Sequence, residues 1–143
     1  MHALAVFLLM IELVEIRGPK DFDYRWQLAE AISEGTEDPD ERRVLARLGF
    51  YEGGYRRAVA RCEIKGDGGK SVGAFQVQPA SPKDAKMACG TLSEQVDVAI
   101  RYLRRAADAC PQNEGFMRLA VYVSGRCDRG QKAAKERWGI DAR

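Results

Sequence analysis

Glu52 and Asp67 are the side chains whose types and surroundings suit acid–base chemistry. Glu52 follows Leu45 and Leu48 at helical spacing, so it should project from an otherwise apolar face, at the carboxyl end of its helix. Burial and the negative end of the helix dipole both disfavour a carboxylate there, which favours a carboxyl able to donate a proton near neutral pH. Asp67 sits in a Gly-rich loop that can bring it opposite Glu52, and two carboxyl groups flanking a sugar linkage are the apparatus of glycoside cleavage. The plainer readings are a solvated Glu on a fraying last turn and an Asp-Gly turn residue. Glu63 is a nearby competitor, but its Cys-Glu-Ile-Lys context carries no loop signal.

Other chemistries find less support. Gly69-Lys70-Ser71 ends like a phosphate-binding loop, yet Ile64 stands where that loop needs its first Gly, and FQVQP rather than a helix follows. Lys plus Arg number 23 and Asp plus Glu 21, a net charge of +2, whereas nucleic-acid binders draw affinity from a basic excess. Arg101, Arg104 and Arg105 therefore read as a solvated helix face. No nucleic-acid partner is expected. No apolar stretch reaches the roughly 18 residues of a membrane-spanning helix. The four cysteines, Cys62, Cys89, Cys110 and Cys127, form no CxxC pair, and His2 is the only His, so no metal site is expected. They are either buried free thiols or two disulfides; the first pair expected is Cys110 with Cys127, which bracket a helix.

The elements that must carry these residues are mostly helical, in one domain of 143 residues. The apolar run from Ala3 to Ile11 reads as a retained helix with a face at Val6, Leu9, Leu13 and Ile16, ending near Gly18-Pro19. For residues 1–18 the alternative is an export signal or an anchor, but a basic start and a small-x-small cleavage site are missing. Tyr24 to Glu34 is a second helix, with Trp26, Ala29 and Ile32 inward. Asp38-Pro39-Asp40-Glu41 opens a third, bearing Val44, Leu45, Leu48 and Tyr51 and ending at Gly53-Gly54. Thr91-Leu92-Ser93-Glu94 is a capping box for a helix with Val96, Ile100, Leu103 and Ala107 on one face, closed by Pro111. Glu114 to Ser124 and Arg129 to Trp138 complete the helical set. Gly66 to Gln78 reads as a loop leading into a short extended or hairpin segment.

Three segments, in order, resemble a known superfamily. Tyr51-Glu52-Gly53-Gly54-Tyr55 is similar to the Glu-Ser-Gly-aromatic start of lytic transglycosylase domains. Gly66-Asp67-Gly68-Gly69-Lys70-Ser71-Val72-Gly73-Ala74-Phe75-Gln76-Val77 resembles the Gly-Asp loop of goose-type lysozymes. Ala120-Val121-Tyr122-Val123-Ser124-Gly125 is similar to the Ala-Tyr-Asn-Ala-Gly element of both. The resemblance, to the lysozyme-like superfamily, implies a mainly α (α+β lysozyme-like) domain with a Gly-rich loop or β-hairpin insert lining a glycan groove, and a catalytic core over 38–138. It implies a peptidoglycan-cleaving muramidase acting on the bond between N-acetylmuramic acid and N-acetylglucosamine, either lysozyme or lytic transglycosylase, bacterial or phage-encoded.

In that reading Glu52 is the general acid and Asp67 helps to position a hydrolytic water. Gln76 and Tyr122 line the groove and orient Glu52; Ser71 and the backbone from Gly73 to Phe75 contact sugar. No cofactor is implied, the partner is the peptidoglycan strand, and a monomer is expected. An extracytoplasmic or virion-associated location favours disulfides, drawn from Cys110, Cys127, Cys62 and Cys89. The departures are Gly53 for the usual Ser, Ala74-Phe75 for Leu-Met, and Val123-Ser124 where Asn-Ala is common. They leave the choice between hydrolysis and an anhydro product open, with Asp67 tilting it to hydrolysis. The alternative class is a glycan-binding or virion structural module without turnover.

Overall fold

Strong local start signals and apolar periodicity yield a mainly helical chain. The computed structural model describes residues 2–138, with side chains omitted at 116, 117, 121, 123, 135 and 138. The described chain divides into two compact units at Ala99 and Ile100. The first contains α1 (His2–Leu13), α2 (Pro19–Gly35), α3 (Pro39–Tyr51), α4 (Arg57–Ala60) and α5 (Pro82–Ala88). Helix α6 (Leu92–Ala109) runs across the division, and α7 (Ala120–Ser124) and α8 (Gln131–Trp138) belong to the second unit.

In the first unit α1 packs on both α2 and α3. It buries Val6, Phe7 and Met10 against a core that includes Leu28, Ile32, Leu45 and Leu48. The expected face of Val6, Leu9, Leu13 and Ile16 is rotated, leaving Leu9, Leu13 and Ile16 half-buried. Phe7 turns that face inward, with ring centres 5.0 Å from Phe22 and 5.3 Å from Trp26 in edge-on contacts. Helix α1 also stops at Leu13 rather than near Gly18. The carbonyls just past its end are taken by another group: the buried Arg25 guanidinium donates to Val14 O at 2.6 Å and Glu15 O at 2.8 Å.

Gly18-Pro19 opens α2 instead of closing α1. Pro19 occupies the first turn, where its missing N–H costs nothing, and Gly18 takes φ 136°. Trp26, expected inward, is half-buried, whereas Tyr24, Arg25 and Leu28 face the core beside Ala29 and Ile32.

Helix α3 starts as the sequence leads one to expect, with Asp38 accepting from the Asp40 N–H at 2.8 Å and the Glu41 N–H at 3.3 Å. Tyr51, expected on the inner face, is 41% exposed. At α6 the capping box is reciprocal: Thr91 Oγ accepts from the Glu94 N–H, and Glu94 accepts from the Thr91 N–H. The inner face of α6 carries Val96, Ile100 and Leu103 as expected, with Ala107 half-buried and Arg101, Arg104 and Arg105 exposed. The Gly66–Gln78 segment makes isolated antiparallel bridges, Gly66 with Ser71 and Val72 with Val77, around a 3-10 turn at Asp67–Gly69.

In the second unit the expected Glu114–Ser124 helix is a 3-10 turn, Gly115–Leu119, followed by α7. Helix α8 begins at Gln131 rather than Arg129. Cys110 pairs with Cys127, the expected bridge, and Asn113 Nδ2 donates to Cys127 O at 2.9 Å. Cys62 and Cys89 form the other disulfide, in the first unit, so all four cysteines are paired. Among the described residues, no helix is long and apolar enough to cross a membrane.

Candidate functional site

Glu52 stands directly after the last residue of α3, half-buried, with its N–H donating to Leu48 O at 2.9 Å. The chain then turns sharply through Gly54 (φ 61°) and Tyr55 (φ 51°). Left-handed φ is strained for a residue with a side chain, so the Tyr55 conformation needs tertiary support. It has three such supports. The Tyr55 hydroxyl donates to Ala46 O at 2.6 Å, the Arg25 guanidinium lies 4.6 Å from the ring centre, and Arg17 Nη2 donates to Gly54 O and Tyr55 O at 3.0 and 3.2 Å. Asp21 joins the two arginines, accepting from Arg17 and Arg25. Partial burial pushes its carboxyl up, but the hydrogen bonds from Arg17 and Arg25 outweigh this and hold it below the usual carboxylate range.

The Gly-rich loop is built around buried anchors. Asp67 is exposed with φ 51°, and its Oδ2 accepts from the Ser71 hydroxyl and, at 3.4 Å, from Gln78 Nε2. Ser71 is buried, so its hydroxyl fixes Asp67 from below. Gly73 has φ 81°, and a Cβ there would lie 2.2 Å from Ala88 O, so only glycine fits. Gly73, Ala74 and Phe75 are all buried, Phe75 to 1% exposure, so neither the ring nor the backbone of this stretch faces outward, against the expected sugar contact. Gln76, at φ 48°, donates through Nε2 to Gly73 O at 2.9 Å and so closes the turn on itself.

Gln95, which the sequence reading passed over, holds this loop in place. Its Oε1 accepts from the Ala74 N–H at 2.9 Å, while Nε2 donates to Ala60 O and Gly90 O at 2.8 and 2.9 Å. One buried amide thereby ties the loop to the end of α4 and the start of α6. Its signal was a polar residue one turn before Ala99 on the buried side of an amphipathic helix. The Cys62–Cys89 bridge ties together the two segments that flank the loop.

The end of α3 and the loop meet at Gly53. A Cβ on Gly53 would stand 2.3 Å from Ala74 O and 2.9 Å from Gly49 O. The residue after Glu52 is therefore a glycine because a loop carbonyl occupies the space of a side chain. Glu52 is thus adjacent in sequence to the contact point, while Asp67, Ser71 and Gln76 are gathered within the loop. Tyr122 lies on α7 of the second unit, half-buried. Among the described residues, no cluster of three or more His, Cys, Asp or Glu is arranged to hold a metal ion. Compared with protein-family models, with curated proteins and with solved structures, the chain finds no match in any of the three.

Proposed function

We propose that this chain is a peptidoglycan-cleaving muramidase in which Glu52 protonates the leaving oxygen of the glycosidic bond. The observation that carries the reading is the contact of Gly53 with Ala74 O. Half-buried Glu52 precedes that contact by one residue in the chain, and the Gly-rich loop on its other side carries an exposed carboxylate, Asp67, held by Ser71 and Gln78. A half-buried carboxyl at a helix carboxyl terminus is suited to general-acid work. An exposed, oriented carboxylate is suited to accept a proton from an attacking water. The two disulfides suit work outside the reducing cytoplasm, on a wall or in a virion.

The test is muropeptide release from purified peptidoglycan by the wild type and by Glu52→Gln, with products resolved by mass spectrometry. General-acid catalysis contributes roughly 100-fold or more, so Glu52→Gln should release at most about a hundredth of the wild-type product. Reducing muramic ends are expected, because Asp67 favours water as the nucleophile; anhydro ends would assign the lyase outcome. Glycan retention with no product from the wild type would replace the enzyme with a binding module.

A further inference from the structure

Helix α1 carries apolar side chains on its outer face as well as its inner one. Val6, Phe7 and Met10 are buried, yet Leu4 and Leu8 are each 49% exposed and Ile11 is 36% exposed. Spacings of four and three residues set these three in one stripe along the helix. Phe7 borders the stripe, and its ring meets Phe22, itself 45% exposed, so the apolar surface continues onto α2. Single exposed apolar residues are ordinary, but a contiguous group of them marks a surface that another body covers. The charges of α1 are uneven too. Its first turn holds no acidic residue to meet the positive end of the helix dipole, and Glu12 stands at the negative end, with Glu15 just beyond.

We propose that the stripe pairs with the same stripe of a second copy of this chain, the two α1 helices running antiparallel about a two-fold axis near Leu8. In that register Leu4 of each copy packs on Ile11 of the other, and the two Leu8 side chains meet. The same register carries Glu12 of each copy to the amino end of the other α1, where free N–H groups and the dipole favour a carboxylate. A parallel pair would instead set the Glu12 and Glu15 ends of both copies side by side. The face is therefore complementary to itself in one direction only, as a two-fold contact requires. Helix α1 has no Lys or Arg, which disfavours an anionic lipid surface as the occupant. Four part-exposed side chains fall well short of the roughly 800 Å² per partner of a standard interface, so the dimer is weak and reversible. Glu52 and Asp67 take no part in it, so it stands or falls independently of the muramidase reading.

Sedimentation equilibrium of the full chain, from micromolar to millimolar concentration, should show a monomer–dimer equilibrium. Leu8→Glu should weaken association by at least about tenfold, since it sets two carboxylates face to face in place of an apolar contact. Ile64→Glu, at a 46% exposed site outside α1, should leave association unchanged, with circular dichroism checking both folds. Glu12→Gln should weaken the dimer by at least about twofold, because it takes a charge from the dipole of the other copy. In a parallel pair the same change would strengthen it. Cross-linking reads the register. All four native cysteines are in disulfides, so the short thiol cross-linker dibromobimane joins only introduced thiols. A mixture of Leu4→Cys and Ile11→Cys chains should give linked dimers. Leu4→Cys alone should not, because its two thiols would lie about 10 Å apart along the helix axis. The proposal is overturned if the chain stays monomeric at millimolar concentration, if Leu8→Glu associates as the wild type does, or if Glu12→Gln strengthens the dimer. It is equally overturned if Leu4→Cys links to itself as readily as to Ile11→Cys. A monomeric chain that sediments with phosphatidylcholine vesicles would assign the stripe to a lipid surface instead.

Discussion

The guanidinium carbon of Arg25 stands 4.6 Å from the centre of the Tyr55 ring, and both side chains are buried. A single cation thereby joins the end of α1, the first turn of α2 and the turn after Glu52, since it also donates to Val14 O, Glu15 O and Asp21. Arg25→Met would leave two carbonyls without their donor and the Asp21 carboxylate with Arg17 alone. The expected loss is about 3–5 kcal/mol of unfolding free energy, measured by urea denaturation. Arg25→Lys restores the charge without the planar fork, so it should recover only part of that loss.

The same cluster sets an acid limit. The Asp21 carboxyl lies below its ordinary value when folded, so its contribution to stability is fully present above the unfolded value of about 4. It is lost as pH falls through the lower folded value. Unfolding free energy should therefore decline on acidification below about pH 4. Asp21→Asn should be less stable than the wild type at pH 7, and the gap should close as the pH is lowered. Urea titrations at several pH values check this, and a gap that stays constant with pH would contradict it.

The disulfides close loops of different length, with sequence separations of 27 for Cys62–Cys89 and 17 for Cys110–Cys127. Constraint of the unfolded chain makes each worth about 3 kcal/mol, the longer loop slightly more. Replacing Cys62 and Cys89 together by Ala should cost more than the loop-length difference alone, because that bridge flanks the loop held by Gln95. Thermal denaturation of the two double variants measures the difference, and a larger loss from the Cys110–Cys127 pair would count against this assignment of roles.

Start signals with a local mechanism are legible in the sequence: the Asp38 cap and the Thr91–Glu94 box involve groups three residues apart or less. Ends are less so. Helix α1 stops just before the carbonyls of Val14 and Glu15 that Arg25 takes, and nothing near Leu13 in sequence announces a buried arginine further along the chain. The candidate carboxyl groups are visible as residue types, but the link between their segments is not. It depends on a backbone carbonyl, Ala74 O, that carries no sequence signature, and on Gln95, whose partners lie up to 35 residues away.

Gln95→Ala separates the loop from its anchor. The Ala74 N–H, Ala60 O and Gly90 O would lose their partner, and each buried orphan costs about 1–3 kcal/mol. Gln95→Glu keeps the acceptor for Ala74 but sets a carboxylate against two carbonyl oxygens, so it should be no better tolerated. Hydrogen exchange at the Ala74 N–H reads the anchor directly: Gln95→Ala should exchange faster there than the wild type, and unchanged protection would remove Gln95 from this role.

Gly53 offers the sharpest separation of packing from chemistry. A Cβ at 2.3 Å from a backbone oxygen cannot be accommodated by a side-chain rotation, so Gly53→Ala and Gly53→Ser must displace the loop or the end of α3. Overpacking of this kind costs about 1–3 kcal/mol, measured by chemical denaturation. Under conditions where the variant remains folded, muropeptide release should fall by much more than the folded fraction does. A displacement of about 1 Å between reacting groups can cost roughly 100-fold in rate. Gly53→Ser also installs the residue usual after the acid in lytic transglycosylase domains. If that variant kept wild-type stability and activity, the Ala74 carbonyl would be free to move and Gly53 would have no part in positioning Glu52.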